Sequence, residues 1–130
     1  MKMVMNTLLG LGMQSIAEAV TLGLGLGLPR DLLLDTLAKT AVVAPAHAGK
    51  LSTAKRNNYA PQFPIRLMRK EFGLILKAAA QCGLSMPTTQ AAAMVNSAEA
   101  ESGGDEDFSA VIRRMEQQLG VDRVIVDYPD

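Results

Sequence analysis

The chain opens with apolar residues on almost every side of a helical wheel. From Val4 to Gly23 or Gly25, the polar residues Thr7, Gln14, Glu18 and Thr21 form only a thin strip. A helix apolar nearly all round is covered by other helices, by a partner subunit, or by both. The run "GLGLGLP" then predicts a stop, with glycine taking the left-handed turn and Pro29 opening the next helix. Pro29 to Lys39 reads as that second helix, with Leu32, Leu33 and Leu37 inside and Asp31 complementing its positive end. Residues 43–55, "VAPAHAGKLSTAK", predict a weaker, short helix, and "RNNYAPQFP" a loop.

The clearest amphipathic pattern is "RLMRKEFGLILKAAAQCGLSMP", a fourth helix from near Pro64 to Gly83. Leu67, Met68, Phe72, Ile75, Leu76 and Ala79 recur at the spacing of a buried stripe. A fifth, alanine-rich helix begins at Pro87 and stops at Gly103 and Gly104. Asp105 or Asp107 then caps a sixth, Phe108 to Leu119. The tail "VDRVIVDYP" alternates like a short strand without a partner, which leaves an added edge, a dimer contact or disorder open. These elements predict an all-α bundle of about six helices over residues 1–119, followed by a C-terminal tail over 120–130.

Composition refines this picture. The 130 residues are 48% hydrophobic, with eight Met and no Trp, so the core is aliphatic. Zero net charge argues against bulk nucleic-acid binding, but the charge is unevenly placed. Eight bases and one acid, Glu71, lie between Lys39 and Lys77, whereas nine acids and three bases lie between Glu99 and Asp130. The two halves could pair internally, dimerise head to tail, or hold an anion on the basic half. One cysteine, Cys82, leaves no internal disulfide, suits a reducing cytoplasm, and reads as a small buried hydrophobe. His47 is the sole histidine, so the residues recommend no metal site. The apolar opening superficially resembles a signal or spanning segment. Gln14, Ser15, Glu18 and Thr21 interrupt it, and a buried helix with no membrane role is the better reading.

Self-sufficient nucleotide chemistry finds no motif. Glycines 23, 25 and 27 alternate with leucines and follow no strand, so they do not make a pyrophosphate cradle. Two spacings remain. Lys2 and Asn6 stand four apart, on one face of the first helix, where an amine could exchange a proton and an amide could bond a substrate oxygen. The plain alternative is a lysine near the terminus, waving in solvent. The second spacing is the row Arg66, Lys70, Gly73 and Lys77, opposite the buried stripe. A mid-helix glycine costs about 1 kcal/mol relative to Ala. It is tolerated where something flat approaches the helix between cations, or it is simply part of a solvated face.

The order of several segments resembles one family. "KMVMN" at 2–6, "EAVTLGLGLGLPRDLLLDTL" at 18–37, "FPIRLMRKEFGLIL" at 63–76, "GLSMP" at 83–87 and "GGDEDFSAVI" at 103–112 are similar to the C-terminal helical domain of the β-hydroxyacid dehydrogenases. This family includes 3-hydroxyisobutyrate dehydrogenase and tartronate semialdehyde reductase, and its helical domain is of the 6-phosphogluconate dehydrogenase C-terminal kind. The resemblance implies that Lys2 is the catalytic proton donor or acceptor and that Asn6 orients substrate. It implies that Lys70 and Gly73 belong to the NAD or NADP site, with Arg66 and Lys77 a solvated rim. Against the family pattern K-D-L-G-x-A-x-D, this chain has Glu71 for Asp, Phe72 for Leu, Ile75 for Ala and Lys77 for Asp. The glycines that precede the family's catalytic lysine have no counterpart here, nor does its Rossmann domain.

The reading that results is the helical half of an NAD(P)-dependent dehydrogenase of small hydroxy acids. It is expected to be inactive without a Rossmann domain and to dimerise through its first helix. The alternative is a stand-alone dimerisation or small-carboxylate-binding module.

Overall fold

In the computed structural model, residues 1–120 are described. They form α1 (Lys2–Gly25), α2 (Arg30–Leu37), α3 (Pro45–Lys55), α4 (Ile65–Gln81), α5 (Pro87–Gly103) and α6 (Val111–Glu116), the last entered through a 3₁₀ turn at Phe108–Ala110. The expected all-α bundle is thus present, and the alternatives for the tail, residues 120–130, fall almost wholly outside the described residues.

Met13, Ala17, Val20 and Leu24 give α1 a fully buried edge, which lies along α6 and its Val111 and Ile112. α4 pairs with α5 and also crosses α1. Gly10 makes that crossing close: a Cβ there would come within 2.5 Å of the Phe72 ring. α1 is long and apolar enough to span a membrane by length and composition, and 44% of its most apolar stretch is buried in the bundle.

The helix ends follow local chemistry. Gly27, at φ +90°, makes the left-handed turn after α1. Pro29 proves to be the N-cap of α2 rather than its first residue, with extended backbone. Within α2 the expectation of Leu32, Leu33 and Leu37 inside needs correction. Leu34 is the buried residue, Leu33 and Leu37 are half-buried, and Leu32 is exposed, because the short helix meets its neighbours along a different edge. Cys82 is likewise not buried: as C-cap of α4 it stands exposed where the helix leaves the bundle.

Of the two possible caps for the sixth helix, Asp107 is the one used. It does more than cap. Its Oδ1 accepts from Lys50 Nζ at 2.8 Å and from the backbone N–H groups of Gln62 and Phe63, both at 3.0 Å. Its Oδ2 accepts from the Ser109 hydroxyl at 2.6 Å and from the Ser109 N–H at 3.2 Å. Burial pushes the Asp107 carboxyl up. Lys50, the Ser109 hydroxyl and the two loop N–H groups outweigh that push and hold it below the ordinary carboxylate range.

The uneven charge along the sequence is resolved internally. Lys50–Asp107 at 2.8 Å, Arg66–Asp105 at 3.0 Å and Arg69–Glu101 at 3.9 Å join the basic half to the acidic one.

Candidate functional site

The first two turns of α1 project from the bundle, with residues 1–5 exposed. They stay in register with α4 because Gly10, just over one turn beyond Asn6, lets the two helices approach. On α4, Met68, Phe72, Ile75 and Ala79 face inward as the spacing predicts. Leu67 and Leu76 lie at the margins of that face, Leu67 exposed and Leu76 half-buried.

Glu71 lies on the same inward face and is buried. It receives both of the α1 side chains singled out by spacing. Asn6 Nδ2 donates to Glu71 Oε2 at 3.1 Å, and Lys2 Nζ lies 3.5 Å from Glu71 Oε1. The second distance makes an ion pair rather than a short hydrogen bond. Lys2 keeps 80% of its side chain exposed, whereas Glu71 keeps 11%. The carboxylate is therefore a fixed anchor, and the amine stands largely in the open space beyond it.

Sequence reasoning treated Glu71 as the lone acid of a basic stretch and as a departure from the family pattern, not as a partner of Lys2 and Asn6. A signal was there: Glu71 falls three residues after Met68 and four before Ile75, on the apolar stripe itself. An acid at a buried spacing requires a partner, and the partners are supplied by α1.

Lys70 and Gly73 lie on the exposed side of α4. Lys70 immediately precedes Glu71 in the chain, and it forms no ion pair among the described residues, nor does Lys77. Arg66, by contrast, is paired with Asp105, so the row of cations is not uniform. At Gly73 an added Cβ would meet nothing within 4 Å. This glycine is not demanded by the bundle's own packing, unlike Gly10, Gly12 and Gly23, where a Cβ would collide with Phe72, His47 and Leu33. A bare strip of helix backbone beside an unpaired ammonium suits a flat, anionic group such as a dinucleotide. Among the described residues, no glycine-rich strand-to-helix turn accompanies it to hold a pyrophosphate.

His47 has a structural task. Its Nε2–H donates to the Leu9 carbonyl at 2.8 Å, and its ring packs over Gly12. That bond joins α3 to α1 and leaves the histidine buried.

The fold is an all-α bundle in which α1 and α4 bring an amine, an amide and a buried carboxylate together. Residues 1–115 match the family described as NAD-binding of NADP-dependent 3-hydroxyisobutyrate dehydrogenase, and the chain belongs to that family. It is 34% identical over 113 residues to glyoxylate/succinic semialdehyde reductase 1 of Arabidopsis thaliana, covering 86% of this chain and 39% of that protein. It is 34% identical over 122 residues to 2-(hydroxymethyl)glutarate dehydrogenase of Eubacterium barkeri, covering 92% and 40%. Among solved structures, 3-hydroxyisobutyrate dehydrogenase of Mycobacterium tuberculosis, with L-serine, superposes with a TM-score of 0.77 at 30% identity, covering 88% of this chain and 42% of that one. The Salmonella typhimurium 3-hydroxyisobutyrate dehydrogenase shares the fold, with a TM-score of 0.80 at 24% identity. The chain spans about two fifths of the length of the curated relatives it matches, and it corresponds to their helical C-terminal domain.

Proposed function

We propose that this chain is the helical half of an NAD(P)-dependent dehydrogenase of small 3-hydroxy acids, or of the matching semialdehydes in the reducing direction. The observation that carries the reading is the convergence of Lys2 and Asn6 on a buried carboxylate of the very helix that bears Lys70 and Gly73. With its Nδ2 engaged by Glu71, Asn6 turns Oδ1 toward a substrate and accepts a hydrogen bond from the substrate hydroxyl. Lys2 Nζ takes the hydroxyl proton during oxidation and returns it to the carbonyl oxygen during reduction. Glu71 holds both groups in place. Lys70 would meet the cofactor's negative charge, and Gly73 would leave room for its close approach. Bound nicotinamide supplies hydride transfer, which these side chains do not perform themselves. A Rossmann domain is needed to complete the site.

The test is complementation. The chain, mixed with a separately expressed dinucleotide-binding domain of a relative, is assayed with NAD and NADP against a panel of 3-hydroxy acids. Turnover that disappears with Lys2→Ala is the expected result. No turnover with any such domain, together with tight self-association, favours instead the non-catalytic dimerisation or carboxylate-binding module.

We also propose that the protein is a cytoplasmic homodimer paired through α1. The support is an outward stripe on α1 formed by Met5, Leu8, Ser15, Ala19 and Leu22, all exposed, on either side of the position that His47 covers. Met5, Leu8 and Leu22 are 63%, 68% and 64% exposed. A self-complementary two-fold contact would bury these side chains against their copies in the partner. The cytoplasmic placement rests on the single cysteine.

A further inference from the structure

Between α1 and α5 lies a small, largely enclosed cavity of about 120 Å³, well away from the Lys2 cluster. At ~1.5 Å per residue, Gln14 stands about 18 Å along α1 from Lys2. Leu11, Ala92 and Val95 give the cavity apolar walls, and Gln14, Ser15 and Glu18 give it a polar side.

Apart from the Gln14 Nε2 amide, which is turned to Glu18, the polar atoms on that side offer lone pairs. Gln14 is only 8% exposed, and its Oε1 has no hydrogen-bond donor. Its Nε2 points to Glu18 Oε1 at 3.5 Å. Reversing the amide would aim its oxygen at the carboxylate, so the orientation follows from Glu18. The Ser15 hydroxyl gives its proton to the Leu11 carbonyl at 2.9 Å and keeps only acceptor capacity. Glu18 forms no ion pair among the described residues. A buried acceptor without a donor is costly, and here it stands beside an uncompensated negative charge.

We propose that this cavity binds a primary alkylammonium ion. Its N–H groups donate to Gln14 Oε1 and to the Glu18 carboxylate, and its short carbon stem lies against Leu11, Ala92 and Val95. The volume equals about four waters at ~30 Å³ each, which suits methyl- or ethylammonium. The positive end of α5, near Thr88, opposes a cation with roughly half a charge, less than the full charge of Glu18. Among the described residues no group of three His, Cys, Asp or Glu side chains is placed to hold a metal ion.

Calorimetry and side-chain amide NMR on the 130-residue chain, titrated with methylammonium chloride, test the proposal. Saturable binding that shifts the Gln14 amide resonances is expected. Glu18→Gln, at an exposed position, should weaken it about tenfold, the loss of one charge-assisted contact. Tetramethylammonium chloride at the same ionic strength should give no response, since it has no N–H to donate. Four outcomes overturn the proposal: an equal response to tetramethylammonium, binding unchanged in Glu18→Gln, no response to methylammonium, or potassium chloride binding as tightly. The third would mark a site that holds only ordered water, and the last a metal-ion site.

Discussion

Asp107 accepts five hydrogen bonds, from α3, from the loop before α4 and from the turn into α6. Removing its charge leaves Lys50, whose side chain is 12% exposed, without its partner. Asp107→Asn should cost about 3 kcal/mol in urea unfolding near neutral pH. The pH dependence has a fixed sign. The native carboxyl ionises below its ordinary value of 3.8, so the unfolded chain binds the extra proton. This contribution is complete above that value and fades as pH falls through the lower native one. The gap between wild type and Asp107→Asn should therefore narrow on acidification below about pH 4. A gap constant down to pH 2 would contradict this assignment. Gly73 gives a prediction of opposite kind. With open space around it, Gly73→Ala should stabilise the chain by up to about 1 kcal/mol through helix propensity. If the cofactor lies against that strip, the same change weakens NAD(P) binding in the complemented enzyme. A variant both more stable and equally active would remove Gly73 from the site.

Helices bring two isolated spacings into one cluster. α1 alone offers Lys2 and Asn6 on one face, and α4 alone offers Glu71 on its inward face. They meet because Gly10 has no side chain between itself and Phe72. Gly10→Ala should thus be destabilising despite the better helix former. Phe72 is 2% exposed and cannot swing clear; an overpacking cost of about 1–3 kcal/mol exceeds the propensity gain of about 1 kcal/mol. The Asn6 side-chain amide should lose its bond to Glu71 in the same variant, visible as a shift of its NMR resonances toward those of an exposed amide. Unchanged stability and unchanged Asn6 resonances would show that α1 and α4 do not depend on this approach.

At the scale of the whole molecule, the described residues join an acidic half to a basic half and leave one side of α1 apolar and outward. Leu8→Glu places a charge on that stripe without touching the buried edge. Light scattering over a concentration series should then report a monomer where the wild type reports a dimer, with the circular dichroism of the bundle retained. Dimerisation unaffected by Leu8→Glu would move the interface elsewhere. The fold class was legible because α1 is long and apolar nearly all round, α4 carries a periodic apolar stripe and α5 is alanine-rich, between clear glycine and proline stops. Lys2, Asn6, Lys70 and Gly73 were legible as spacings, and the roles expected of them came only from family resemblance. Glu71 was hidden, since a carboxylate on an apolar stripe makes sense only once the neighbouring helix is in place. The same holds within α2, where Leu34 rather than Leu32 turned inward.

The sequence by itself determined the helices, their stops, the aliphatic core and the internal opposition of charge, because periodicity, glycine, proline and net charge act over a few neighbouring residues. Which edge of each helix is buried, which aspartate caps α6, and the meeting of Lys2 with Asn6 at Glu71 were decided by tertiary structure. Those outcomes depend on how closely two helices approach, and that distance is set by side chains dozens of residues apart.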